Sequence, residues 1–296
     1  MPRRATLPAA LGDRPFTTQT ARAAGLTARQ LQSQATRRLL QSVYVAADVP
    51  ITTELRAQAV ALILPPGAVV ARETAAWLLG PDIRPPGDLG VDIVVPQGDE
   101  VRRPGIRCRE ASLRPCDVTT VCGVPVTSPT RTAFDLARHA GLIEGVVGVD
   151  AMVNRGGCDV AELARYVAQR PGWRGIRRAR EVLTHVEPLS ESPQESRARM
   201  RLVLAGLPRP QAQVVVRDEF GVVVARLDLG YEQWRVGIDY DGQPHESSWR
   251  YDLERQERIR GLGWWHRRYS SLATTNSWAR MIDEVTRALR AAGWRS

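Results

Sequence analysis

The stretch RLDLGYEQWRVGIDYDGQPHE, residues 226–246, sets Asp228, Asp239, Asp241 and His245 around one short apolar pattern. Carboxylates at strand positions are either solvated surface groups or oxygen ligands for a hard divalent cation such as Mg2+, with Mn2+ as the alternative. In WRVGIDYDG a period of two sends Val236, Ile238 and Tyr240 to one face and Gly237, Asp239 and Asp241 to the other. Asp228 sits on the strand before, so it and Asp239 could meet in space and share an ion. Close like charges cost free energy unless a cation or arginines offset them. That cost argues against accident, and a solvent-facing edge stays open as the other reading.

The elements that must position these acids follow from the flanking pattern. EPLSESPQ (187–194) has the Pro and Ser content of a linker. A helix is expected over 195–205, stopped by Gly206 and Pro208, then three strands within 212–242. A helix over 250–263, a strand over 264–270 and a helix over 277–293 complete the order αβββαβα. In the middle of the chain, VDIVVP (91–96) and GIRCREASL (105–113) read as strands, and helices are expected near 129–140, 143–154, 159–169 and 174–186. Ser128 with Pro129 behind it suits the start of the first of these. Asp135, Asp150 and Asp159 share no helix face there and are expected to be solvated.

At the N-terminal end, Thr17 or Thr18 can cap a helix that Gly25 stops, and Thr27 can cap a second helix over Ala28–Thr36. Ala28, Leu31 and Ala35 share one face of it, and Arg29, Gln30, Ser33, Gln34 and Arg37 the other. Gln and Arg are the side chains that read base edges in a major groove, and Arg also clamps phosphates. RLLQSVYVAA then alternates like a short wing, and a winged helix-turn-helix is the expected module. A small protein-binding module with a polar outer face is the alternative.

Composition fits a nucleic-acid partner. The 296 residues carry a formal charge of +9, and every Lys/Arg position is arginine. Arg3, Arg4, Arg14, Arg22, Arg29, Arg37 and Arg38 face one acid, Asp13, within residues 1–45, and RPGWRGIRRAR (170–180) holds no acid. Clusters of this kind suit a polyanion through counterion release, with solvated basic faces as the bland reading. Four cysteines without CxxC spacing argue against zinc. The longest apolar runs, such as AQAVALIL (57–64), fall far short of the ~18–20 residues that cross a bilayer, and the N-terminus lacks the apolar stretch of a secretory signal. The expectation is a cytoplasmic protein with no membrane contact and no organic cofactor.

Two resemblances extend this reading. FTTQTARAAGLTARQLQSQATRRLLQSVYVAADVP (16–50), PPGAVVARETAAWLLG (65–80) and VPVTSPTRTAFDLAR (124–138) resemble the AbiEi-type antitoxin family of bacterial type IV toxin–antitoxin systems. That resemblance implies a winged helix joined to a second mixed domain, repression of the protein's own operon, and a cognate toxin as partner. Residues 190–293 resemble the PD-(D/E)XK nuclease superfamily, in the branch similar to very-short-patch-repair endonucleases. Glu195 matches the helix acid, Asp228 the strand Asp, and Asp239 the Glu place. Asp241-Gly242 with His245 match DGxxH, and RQERIRGLGWWHRRYS (255–270) the last two elements. Leu227 replaces the proline before Asp228, Asp239 is one methylene shorter than Glu, and Asp241 stands where the superfamily carries lysine. No lysine elsewhere can substitute, and arginine stays protonated. His245 is then the nearest proton carrier, with Asp241 beside it and His266 as a weaker second.

The implied chemistry is a cation held by Asp228 and Asp239, a bound water of lowered pKa, and Glu195 completing the shell or orienting that water. The expected architecture is α/β (α+β multidomain): a winged helix-turn-helix over 1–50, a mixed middle domain over 51–186, and a nuclease-like α/β domain over 187–296. The expected function is DNA binding with a metal-dependent endonuclease-like C-terminal domain. The alternative is a non-catalytic antitoxin-type regulator with a degenerate nuclease fold.

Overall fold

The computed structural model describes residues 7–8, 11–241, 249–270 and 275–295. It is a mixed α/β chain in two compact units, one of residues 1–139 and 155–179, the other of residues 140–154 and 180–296. Among the described residues no helix is long and apolar enough to cross a membrane.

The first unit opens with β1 (Phe16–Thr17), α1 (Thr18–Ala23), α2 (Ala28–Leu31), β2 (Thr36–Leu40) and β3 (Val43–Ala46), the strands forming a sheet of order β1-β3-β2. Thr17 caps α1 by accepting from the Thr20 N–H at 3.1 Å. Thr27 caps α2 in a reciprocal box: it accepts from the Gln30 N–H at 3.3 Å, and the Gln30 side chain accepts from the Thr27 N–H at 2.8 Å. The expected helix over Ala28–Thr36 is therefore corrected to one turn. Beyond Leu31 the polar side chains bond locally: the Ser33 hydroxyl donates to the Gln30 carbonyl and Thr36 to the Leu31 carbonyl. Such side-chain bonds compete with the helix ladder, and β2 begins at Thr36. Leu11, Phe16, Ala21, Leu26 and Leu31 make the small core of this part.

The unit continues through α3 (Thr53–Ala61), β4 (Val69–Val70), α4 (Arg72–Leu79), β5 (Val91–Val95), β6 (Ile106–Glu110), a 3-10 turn (Pro115–Asp117), β7 (Val118–Val121), β8 (Val124–Thr127) and α5 (Pro129–His139). A five-stranded sheet of order β6-β5-β4-β8-β7 packs its valines and isoleucines with Leu55, Val60, Trp77 and Leu78 of α3 and α4. The chain leaves for α6 (Leu142–Asn154), which belongs to the second unit, and returns for α7 (Val160–Ala168) and the start of α8 (Ile176–Leu183). Asp159 caps α7 from an exposed position, as a solvated acid would. Asp135 does not: it is buried, accepting from Arg131 and Arg138 at 2.8 Å each. The expectation of a solvated Asp135 is corrected, because α5 turns these charges inward, where pairing makes burial tolerable. Within RPGWRGIRRAR, Arg170 is likewise buried, donating to the Tyr166 carbonyl.

The second unit holds α6, α9 (Pro193–Leu204), β9 (Gln211–Arg217), β10 (Val223–Tyr231), a 3-10 turn (Glu232–Trp234), β11 (Val236–Asp241), α10 (Trp249–Gly261), β12 (Trp265–Ser270) and α11 (Thr275–Ala291). From α9 onward this is the αβββαβα order expected from the pattern. The sheet runs β12-β11-β10-β9: β9, β10 and β11 are antiparallel, and β12 is parallel to β11 through the α10 crossover that such a pair requires. Val236 and Ile238, with Tyr240 partly buried beside them, pack with Trp278, Met281, Val285 and Leu289 of α11. A second cluster joins Val214, Val216, Ala225 and Leu227 to Ile259 of α10.

Asp150 corrects a further expectation of solvation. It lies buried on α6, accepting from Arg199 at 2.7 Å, Ser196 at 2.6 Å and the Glu187 N–H at 2.8 Å. The stretch 187–194 is thereby tied down at its start and at Ser190, which is buried against Ser196.

Candidate functional site

Three acids from three elements line one cleft of the second unit: Glu195 of α9, Asp228 of β10 and Asp239 of β11. Each is placed by local structure. Ser192 caps α9 by accepting from the Glu195 N–H at 3.2 Å, with Pro193 at the first helical position. Glu195 thus falls in the first turn, where the helix dipole favours an anion. Its Oε2 accepts from the Glu191 N–H at 3.0 Å and from Gln213 Nε2 at 2.9 Å. Gln213 adopts a left-handed backbone, φ 55°, inside β9. Such a conformation costs free energy, and it persists here where the side chain meets Glu195.

Asp228 and Asp239 brace the β10–β11 pair. The ladder matches Leu229 with Ile238, and beyond it carboxylates replace backbone carbonyls as acceptors. Asp239 Oδ1 accepts from the Asp228 N–H at 3.1 Å, and Asp228 Oδ2 from the Tyr240 N–H at 2.7 Å. The outer oxygen of Asp239, Oδ2, receives Arg255 Nη1 of α10 at 2.9 Å and lies 3.0 Å from His266 Nε2 of β12. Arg255 also donates to the Arg226 carbonyl at 3.0 Å, which locks α10 onto β10.

The two aspartates are driven apart electrostatically. Burial pushes Asp228 up to about 7, the nearby charges of Asp239 and Glu195 add to that, and the Tyr240 N–H and Arg255 oppose it. Burial works in the same direction on Asp239. There the hydrogen bond and charge of His266, joined by Arg255, outweigh it and hold the carboxyl below its ordinary range. A carboxyl that exchanges its proton near neutrality beside one that stays ionised is an arrangement suited to proton transfer.

The donor set does not fit a resident divalent ion on Asp239 as arranged. Both of its oxygens face N–H donors or the His266 ring, and a cation would have to compete with a guanidinium and an imidazole for Oδ2. Among the described residues no group of three or more His, Cys, Asp or Glu side chains stands at metal-sharing distance. Asp241 closes β11, and His245 lies outside the described residues.

Arg255 and Gln213 carry no signal in the sequence that marks them for this site, and His266, the weaker of the two histidine candidates there, is the one that meets Asp239 among the described residues. Nothing in RYDLERQERIRGLG distinguishes Arg255 from its neighbours; its role comes from the crossover. His266 reaches Asp239 because the parallel register sets Gly237 beside His266.

In the first unit, the residues expected to meet nucleic acid split between two elements. Arg29 and Gln30 lie on α2, Ser33 and Gln34 in the turn after it, and Arg37 and Arg38 on β2. All but the half-buried Ser33 are exposed. Gln30 spends its amide oxygen on the cap of α2. Arg37 donates to the Val49 carbonyl, and Arg38 to Gln41 at 2.6 Å. Among the described residues neither these three arginines nor Arg22 has an acidic partner.

The chain is 29% identical over 147 residues to the uncharacterized proteins MT2308 and Rv2248 of two Mycobacterium tuberculosis strains, covering 49% of this chain and 54% of each of them. It therefore spans about half the length of the curated relatives it matches. The crystal structure of RV2827C protein from Mycobacterium tuberculosis aligns at 17% identity and a TM-score of 0.33, covering 75% of this chain and 92% of that one. Residues 68–185 match the family model of the AbiEi antitoxin C-terminal domain.

Proposed function

We propose that this protein is a DNA-binding regulator of the antitoxin type, with a winged helix-turn-helix at its N-terminal end and a nuclease-like module at its C-terminal end. The observation that carries the reading is the exposure of Arg29, Gln34, Arg37 and Arg38 on α2, β2 and the turn between them, with no acidic partner for the arginines among the described residues. Four cationic or amide side chains on one small sheet-and-helix module suit phosphates and base edges. The match of residues 68–185 to an antitoxin domain supports the same reading, and a cognate toxin is the protein partner it implies. In this role Asp228 and Asp239 brace the C-terminal sheet, and no hydrolysis is required of them.

The test is binding of the full chain to duplex DNA by fluorescence anisotropy over a salt series. Affinity should fall steeply with salt. Arg29→Ala and Arg37→Ala should each weaken binding, with ~1–3 kcal/mol of lost discrimination at any base they contact. No binding at low salt would sink the winged-helix reading.

A second reading, a metal-dependent DNA endonuclease, is favoured by one observation: Glu195, Asp228 and Asp239, from three elements, line one cleft. The expected ligands of Mg2+ or Mn2+ in that reading are Asp228 and Asp239, and Asp239 would first have to give up Arg255 and His266; the ion would supply an activated water. Asp241 or His245 is the expected proton acceptor in that reading, His245 lying outside the described residues. Purified chain should in that case nick DNA only with a divalent cation, and Asp228→Ala should lose cutting while keeping DNA affinity.

A further inference from the structure

The first unit contains a concave cleft of ≈ 330 Å³ that the nucleic-acid reading does not use. It is lined by Arg72, Arg107, Arg109, Arg131, Arg138 and Arg174, drawn from α4, β6, α5 and the turn before α8. The acids of the lining are Asp92, Glu110 and Asp135, and from outside it Glu73 pairs with Arg72 at 3.2 Å and Asp88 with Arg107 at 2.8 Å. Those acids are already committed: Asp92 to Arg107, Asp135 to Arg131 and Arg138, and Glu110 to the Gly98 N–H at 3.1 Å. Arg109 and Arg174 have no acidic partner among the described residues.

Two structural features point to an anionic ligand. Arg131 is fully buried, and its Nε is satisfied by Asp135, yet Nη1 and Nη2 make no hydrogen bond among the described residues. Nη1 has only an ion-pair approach of 3.6 Å to Asp117. A buried guanidinium with donors to spare calls for an acceptor. Arg72 holds a left-handed backbone, φ 51°, at the first position of α4, and its buried Nε is also unpartnered. Strain of that kind persists where the surroundings need the side chain in place. His139, also on the wall, is pushed down to about 4, by burial first and then by Arg138, Arg109 and Arg72 against Asp135.

We propose that this cleft binds a small phosphate-bearing anion, through guanidinium forks that match phosphate oxygens two at a time. Concavity and size favour a small molecule over a nucleic-acid backbone, since ≈ 330 Å³ lies at the lower end of the range of small-molecule sites. The source of the phosphate is either a free inorganic or polyphosphate ion or the phosphate end of a nucleotide.

Isothermal titration of the full chain with inorganic phosphate, pyrophosphate and ATP at fixed ionic strength tests this. Saturable binding of at least one is expected. ATP tighter than pyrophosphate assigns a nucleotide, and pyrophosphate equal or tighter assigns the free ion. Arg109→Ser and Arg174→Ser, which break no ion pair among the described residues, should each weaken binding roughly tenfold without changing the Tm of the free protein. The proposal is overturned by absence of saturable binding, by variants that bind like the wild type, or by sulfate binding as tightly as pyrophosphate. Full competition by duplex DNA would also overturn it, by assigning these arginines to nucleic acid.

Discussion

At the residue scale, the pairing of Asp228 with Asp239 makes stability depend on pH in two opposite windows. A carboxyl raised to about 7 binds its proton more tightly in the folded chain than in the unfolded one. The unfolded state then binds fewer protons between about 4 and 7, so stability falls as pH rises through that window. Asp239, held low by His266 and Arg255 against its burial, contributes stability present above the ordinary carboxylate range and lost as pH falls through its own lower value. Asp228→Asn removes the first effect while keeping a carbonyl for the Tyr240 N–H. It should stabilise the protein at pH 8 by about 1–2 kcal/mol, after discounting for partial exposure, and change little at pH 4. Urea melts at the two pH values check this; equal effects at both would show that the raised pKa is not what matters at this position. The sequence supplied the acids but not their partners. Asp239 meets Arg255 and His266 only because α10 crosses over and β12 pairs in parallel, and neither is a local property.

The elements themselves were more readable than their lengths. Alternation and capping residues yielded the order αβββαβα and the two N-terminal helix starts at Thr17 and Thr27. The end of α2 was not readable, because apolar spacing continues to Ala35 while Ser33 and Thr36 turn their hydroxyls back onto the chain. The inward charges of α5 were invisible for a related reason. Arg131 and Asp135 form an i,i+4 pair that on sequence grounds suits a solvated face equally well. The single turn of α2 depends on its capping box. Thr27→Ala should cost about 1 kcal/mol in thermal unfolding of the intact protein. DNA affinity should fall with it if α2 presents Arg29 to a groove, and remain unchanged if β2 alone makes the contact.

At the scale of the whole molecule, the chain passes between the two compact units three times, after His139, Asn154 and Ala179. The middle excursion, α6, is held in its unit by Asp150, whose partner Arg199 is fully buried and also donates to the His185 carbonyl at 2.7 Å. Removing one member of such a pair leaves the other charge buried without compensation. Asp150→Ala should therefore destabilise the protein by about 3–5 kcal/mol, far more than an exposed Asp159→Ala, in denaturant melts of the full chain.

The interlaced path also sets an order on biosynthesis. Asp150 leaves the ribosome 49 residues ahead of Arg199. At about 5–20 residues per second, α6 then waits roughly 2–10 s for the segment that covers it. During that interval Val146, Val147, Val149 and Met152, all buried in the finished protein, are exposed on the nascent chain with an unpaired carboxylate among them. Translation pauses near residue 190 would lengthen that exposure.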